Sequence, residues 1–306
     1  MELHILLIKK SIYSTTNRCI TTLFCIIDNY CKIYEEWGES KLIPSSRKRK
    51  RLGHLSLSEL LTIVLYFYIS PCKDFKNYYL YHLSYKYRGY FSLPSYSRII
   101  HLWSRLVLPL TIMLQLFTGE EIGIYFIDSS RLSICHAKRT NSNKVFSGIA
   151  KIGMSSYGWC MGFKLHIIVN NKGQIMAIKI TKGNASDVSA VDSITKRLCG
   201  KLFGDKAYIS KEVSAKLFSR GLRLFTGIRK DMKNHLLDIE DKILLRRKST
   251  IESVFNVLKN GMNLEHTRHR SPINFLVHIL ACLNAFKLNK SRKFVAVLAD
   301  SQTLLS

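Results

Sequence analysis

The stretch Ile122-Gly-Ile-Tyr-Phe-Ile-Asp128-Ser129-Ser130 decides how the rest of the chain is read. Its Ile, Tyr and Phe residues make a β-favouring run that is apolar on both faces, which predicts a buried strand. The predicted strand ends at a bare carboxylate, Asp128, and a carboxylate there is costly to bury unless a cation meets it. The arrangement recurs in Lys201-Leu-Phe-Gly-Asp205-Lys-Ala-Tyr208, a second short strand with an acid near its end. A third acid, Glu252, lies on the helix-like segment Thr250-Ile-Glu-Ser-Val-Phe-Asn-Val-Leu-Lys259, whose core stripe is Ile251, Val254, Phe255 and Leu258.

The acids are separated by 205 − 128 = 77 and 252 − 205 = 47 residues, and the first interval suits two strands side by side in a sheet. Phosphoryl transfer on DNA uses hard cations held by oxygen ligands, commonly two Mg²⁺ about 3.5–4 Å apart. Two strand-end carboxylates and one helical carboxylate supply such ligands. Each acid also has a plainer reading. Asp128 before two serines reads as a turn or helix cap, Asp205 as a turn paired with Lys206, and Glu252 as the second half of a capping box with Ser249. Taken together in a basic chain, the three are expected to form one metal-binding cluster. Lys259 follows Glu252 by seven positions, two helical turns, and is expected on the acid's own face as a point charge for phosphate.

Composition points to the partner. The chain has 306 residues, 47% of them hydrophobic, and 47 Lys+Arg against 21 Asp+Glu give a net charge of +26. That excess favours a polyanion, nucleic acid above all, although a Lys-rich compositional bias also produces it. The eight cysteines are scattered with no Cys-x-x-Cys pair. Neither a zinc knuckle nor a disulfide framework is expected, which fits a reduced cytoplasm. The apolar runs 60–69 and 275–283 are too short to span a bilayer, and residues 3–8 lack the flanks of a signal peptide, so a soluble protein without a membrane partner is expected.

Along the chain, residues 1–18 carry no usable pattern and stand as an N-terminal extension. Residues 19–116 read as three or four short helices mixed with basic and aromatic residues, a helix-turn-helix-like DNA-binding domain. Within it, Ser56-Leu-Ser-Glu59 is a capping box, and Arg47, Lys48, Arg49, Lys50 and Arg51 form a run of cations for DNA phosphates or for solvent. From 120 to 290 strands and helices alternate, including a hairpin turned at Asn171-Lys-Gly173 and a helix capped by Ser186-Asp187. This order predicts an α/β domain built on a mixed sheet with flanking helices. His266, Arg268, His269 and Arg270 make a second basic patch ahead of a C-terminal tail, 291–306.

At these residues the sequence resembles the DDE transposases of bacterial insertion sequences, most closely the insertion-sequence 982 family within the group that includes the insertion-sequence 4 and 5 families. The matching stretches are Phe126-Ile-Asp128-Ser129, Leu202-Phe-Gly-Asp205-Lys-Ala-Tyr208 and the segment from Ile251 to Lys259. Gly183-Asn-Ala-Ser-Asp187, His266-Thr-Arg-His-Arg-Ser-Pro272, Leu55-Ser-Leu-Ser-Glu59 and Leu93-Pro-Ser-Tyr96 also match, and coverage runs from about 19 to 290. The resemblance implies a ribonuclease-H-like catalytic fold and two Mg²⁺, with Mn²⁺ as a substitute. It also implies double-stranded DNA partners (terminal inverted repeats and target), a homodimer in the DNA complex, and a bacterial cytoplasm with nucleoid association on DNA. Asp128, Asp205 and Glu252 take the three acid positions and Lys259 the basic one after them. Ala207 stands where the family pattern has Gly. Lys248 and Leu245 stand where the wider group has Arg and Tyr, so phosphate holding passes to Arg246 or Arg247, or is impaired. The segment after about 290 is unlike a family ending. The function expected is strand cleavage and strand transfer at the element's ends. The alternatives are a catalytically inactive DNA-binding remnant or a related metal-dependent nuclease.

Overall fold

The computed structural model describes residues 20–41, 53–155, 158–227, 237–265 and 269–290. The basic run Arg47, Lys48, Arg49, Lys50 and Arg51, both terminal segments, His266 and Arg268 lie outside the described residues. The chain divides into two compact units, one of residues 1–117 with 273–306 and one of 118–272.

The first unit is helical. Helix α1 (Ile20–Lys41) packs on α2 (Leu57–Ile69), which starts with the capping box expected of Ser56 and Glu59. The Ser56 hydroxyl accepts from the Glu59 N–H at 3.1 Å while the Glu59 carboxylate accepts from the Ser56 N–H at 2.7 Å. Phe75–Asn77, a π-turn Tyr78–Leu83 and Ser84–Lys86 run on as α3. Here the tyrosines divide: Tyr78 and Tyr79 are core, whereas Tyr81, Tyr85 and Tyr90 are exposed. Helix α4 (Tyr96–Leu102), capped by Ser95, passes through a tight turn into α5 (Val107–Leu116). The run Tyr96–Leu116 is long and apolar enough to cross a membrane by length and composition, which the shorter runs singled out from sequence did not show. Its Ile99, Leu106, Leu110 and Met113 are fully buried.

The last described helix, Pro272–Lys290, belongs to this unit rather than to the sheet domain that sequence order had extended to 290. The reason is its surface: Val277, Ile279, Ala281, Cys282 and Leu283 are all buried, so it needs neighbours on every side. Its polar side chains meet those neighbours. Asn284 donates to Leu110 O at 2.9 Å, Lys287 donates to Leu114 O at 2.8 Å, and His278 Nδ1 bonds the Tyr68 hydroxyl at 2.7 Å.

The second unit holds a six-stranded mixed sheet with flanking helices, as expected. Its strands are β1 (Ile124–His136), β2 (Lys151–Ser155), β3 (Gly158–Asn170), β4 (Ile175–Lys182), β5 (Gly200–Gly204) and β6 (Leu222–Thr226). The order is β2-β3-β1-β5-β6, with β4 also on β3; β1–β3, β2–β3 and β3–β4 are antiparallel, while β1–β5 and β5–β6 are parallel. Helices α6 (Val188–Ile194) and α7 (Lys211–Phe218) cover one face, where Val191, Ile194 and Leu217 join Tyr125, Ile127, Ile168 and Leu202 in a core. Two more helices, α8 (Ile239–Arg246) and α9 (Ser249–Asn256), follow β6, and the helix Pro272–Lys290 is α10. The strand expected to stop at Asp128 continues eight residues to His136, held by its ladder with β3, and β2 was not anticipated.

Candidate active site

The register of β1 on β5 builds the site. Phe126 pairs with Phe203 in the parallel ladder, and their rings lie 5.7 Å apart on one face of the sheet. Side chains two residues apart on a strand share a face. Asp128 lies two residues beyond this pair on β1, and Asp205 lies two residues beyond it just past the end of β5, where a tight turn begins. The start of this register rests on Gly200, whose φ of +111° and closeness to the Gly123 backbone exclude a side chain, while Lys201 N–H bonds Gly123 O at 2.7 Å.

The third acid arrives from α9, which packs against β1 through the face carrying Ile251, Val254 and Phe255. Glu252 is exposed on that helix and close enough to Asp128 to act on it electrostatically. It is not held in a capping box: the helix is capped at Lys248 without a side-chain bond, and Ser249 lies inside the first turn. Asp128 is no turn residue, since its strand runs on, whereas Asp205 does open a tight turn, Lys206–Tyr208, and pairs with Lys248.

Electrostatics tie the group together. Burial raises the Asp128 carboxyl above the usual aspartate range. The Ser129 N–H, 2.7 Å from Oδ1, pulls it down; Asp187 and Glu252 push it up, and Lys248 pulls it down. A buried carboxylate beside other carboxylates is the condition a bound cation relieves. Lys248 pairs with Asp205 and also acts on Asp128. Among the described residues no three His, Cys, Asp or Glu side chains stand close enough to hold one ion. The fit to a divalent cation is therefore one of donor chemistry, hard oxygens around a position already attractive to positive charge.

The remaining basic residues divide. Arg246 and Arg247, at the end of α8, are exposed, as is Arg270. The seven-residue step from Glu252 to Lys259 does not run through regular α-helix. The segment Val257–Gly261 is a π-turn, which holds more residues per turn, and Lys259 pairs with Glu265 at 2.8 Å. Burial pushes His269 down to about 4, so it is neutral at pH 7 and brings no charge to a phosphate.

A second polar layer behind Asp128 escaped the sequence. Asp187, expected as a helix cap, makes no capping bond. It accepts from the Ser129 hydroxyl at 2.5 Å and from Lys164 Nζ at 3.2 Å, and Lys164 also donates to Ala185 O at 2.9 Å. His166, fully buried and pushed down to about 4 by desolvation, stands 3.9 Å from the same carboxylate and bonds Thr181 at 2.9 Å. The layer clamps Ser129, the neighbour of Asp128, from the opposite face of the sheet. The signal was present: Lys164 and His166 occupy alternate positions on a strand, so they share one face.

Among curated proteins, none matches the sequence. The fold is similar to that of a piggyBac transposase solved by cryo-EM as a synaptic complex with hairpin DNA, with a TM-score of 0.50 and 12% sequence identity over 94% of this chain and 80% of that one. The mixed sheet with its flanking helices is thus the ribonuclease-H-like arrangement expected. Residues 118–272, just over half of the chain and the whole sheet unit, match the family described as "Transposase DDE domain". The chain belongs to the DDE transposase family.

Proposed function

We propose that this protein is an insertion-sequence transposase, most similar to the 982 family, that cleaves DNA at the element's terminal inverted repeats and joins the freed end to target DNA. What supports the reading most is Lys248, which pairs with Asp205 and acts on Asp128, together with Glu252, which acts on Asp128 from α9. Those three carboxylates would hold Mg²⁺ or Mn²⁺, as a pair of ions. When bound, such ions acidify the attacking water and neutralise charge developing on the phosphate.

The chain's own side chains do the rest. Lys248, paired with Asp205, would hold a phosphate oxygen as a point charge. Arg246, Arg247 and Arg270 hold neighbouring phosphates as exposed cations, and Lys259 does so on leaving Glu265. In the first step the water oxygen attacks phosphorus and the 3′ oxygen leaves with a proton, freeing a 3′-OH. In the second, that hydroxyl attacks a target phosphodiester and displaces the target's 3′ oxygen. The helical unit, with its helix-turn-helix-like order, grips the repeat, and a homodimer brings two ends together.

Joining tests the second step without the first. A labelled oligonucleotide duplex carrying the DNA that brackets the gene, already ending in a 3′-OH, is incubated with plasmid target and Mg²⁺. Covalent transfer of label to plasmid by wild type, absent in Asp128→Ala and Asp205→Ala, is expected. Transfer unchanged in either variant removes that acid from the reaction, and no transfer by a wild type that binds the end leaves a DNA-binding remnant.

A further inference from the structure

The hairpin formed by β2 and β3 carries apolar side chains in solvent where a sheet edge usually has none. Met154 and Trp159 are direct partners in the ladder, 61% and 56% exposed, and Ile152 beside them is 40% exposed. Exposed large apolar side chains grouped on one face mark an interaction site.

Charge identifies the partner. Between Ser129 and Ser186 the sequence has nine Lys or Arg and no Asp or Glu. Lys138, Arg139, Lys144 and Lys151 in this stretch are all exposed, and Ile134, Cys135, His136, Lys138 and Arg139 line a surface pocket at the end of β1. An all-cationic surface around an aromatic–thioether pair suits DNA, whose backbone meets the cations and whose sugars and base edges meet the apolar pair.

Direction follows from strand alternation. Asp128 lies opposite Ile167 in the β1–β3 ladder, and Ile167, Leu165, Phe163, Met161 and Trp159 alternate along β3 on one face. Asp128, Trp159 and Met154 thus belong to the same face of the sheet. Eight residues separate Ile167 from Trp159, roughly 26 Å of strand at about 3.3 Å per residue. That is less than one turn of duplex, about 34 Å. The hairpin is held in place by the approach of Gly153 to the Gly183 backbone, too close for any side chain.

We propose that the β2–β3 hairpin is a second DNA-binding site, in which Lys138 and Arg139 hold the phosphates of the duplex flanking the scissile position while Trp159 and Met154 wedge into its groove. The location of the scissile position rests on the transposase reading; the contact with duplex does not. The test uses the full chain and a fluorescent random-sequence duplex of about 40 base pairs, roughly four turns. Trp159→Ala/Met154→Ala should bind at least about tenfold more weakly, in keeping with the range for lost aromatic contacts. Lys138→Ala/Arg139→Ala should lower the slope of log affinity against log salt by roughly 1.8, about 0.9 per lost phosphate contact. All four side chains are on the surface, so folding is not at stake and is checked by circular dichroism.

Wild-type affinity in the Trp159→Ala/Met154→Ala protein, or an unchanged salt slope in the lysine–arginine variant, overturns the proposal. Hairpin-dependent binding by a wild type that never cleaves upholds the site and removes the transposase reading. Cleavage with hairpin-independent binding does the reverse.

Discussion

Phe203 pairs with Phe126 in the parallel ladder of β5 on β1, and two residues further along the chain come Asp205, just past the end of β5, and Asp128. The relation is fixed at the other end of β5, where Gly200 adopts φ +111° against the backbone of Gly123. Gly200→Ala must strain the backbone or shift the strand. A loss of about 1–3 kcal/mol in denaturant unfolding is expected, the range for a side chain in such a conformation. Strand cleavage should fall with it, because β5 leads directly into Asp205. A Gly200→Ala protein as stable as wild type would contradict this reading of the register.

The raised pKa of Asp128 gives a stability sign opposite to that of a paired surface aspartate. A carboxyl raised in the folded state binds more protons there than in the unfolded chain. Its favourable contribution is therefore complete below the unfolded value and is lost as pH rises through the folded one. At neutral pH without metal, ionised Asp128 is a net cost. Asp128→Asn should melt at or above the wild-type temperature while abolishing cleavage. A lower melting temperature in metal-free buffer at pH 7 would oppose this.

Asp187 and Lys164 form a pair with side-chain exposures of only 20% and 9%. Removing one partner strands the other, so Asp187→Ala should cost about 3–5 kcal/mol, whereas replacing both with apolar residues of similar volume should cost much less. A double-mutant cycle by urea unfolding reads the coupling. Ser129→Ala removes one hydrogen bond to Asp187, about 1 kcal/mol. It should also slow cleavage at subsaturating Mg²⁺ more than at saturation, since it loosens Asp128 rather than deleting it. Equal slowing at both concentrations would assign Ser129 a structural part alone.

Lys287 in the helical unit titrates the other way. Burial holds its ammonium down at about 7, so above that pH the folded chain has released a proton that the unfolded chain keeps up to the ordinary lysine range. Stability should climb from about pH 7 towards about pH 10, by at most about 1.4 kcal/mol per pH unit from this group. Lys287→Met should flatten that slope in melts at several pH values. An unchanged slope would show that Lys287 is charged in the folded protein.

The readability of the chain follows from how local each feature is. The β1 and β5 cores, the Asn171 turn and the Ser56 cap are written in runs of a few residues, and all of them form. The second half of β1 was not legible, because polar and apolar residues mix there and the ladder shifts register between Ser133 and Cys135. Nor was the place of α10, whose partners at Tyr68, Leu110 and Leu114 lie more than 170 positions away. Asp187 does stand at the N-cap of α6, as Ser-Asp before an apolar run suggests, but its carboxylate makes no capping bond. Its real partners, Ser129 and Lys164, come from strands that only the sheet brings beside it. Nor was the π-turn around Lys259 legible, since it leaves no mark in the spacing of apolar residues.

The most direct test of the account is strand cleavage of a labelled duplex containing the element's own end, run with Mg²⁺ and with EDTA, for wild type and Glu252→Ala. Cleavage at the element boundary that requires both Mg²⁺ and Glu252, with end binding preserved in the variant, is the expected result. Cleavage that persists in EDTA or in Glu252→Ala would contradict a metal centre built from Asp128, Asp205 and Glu252.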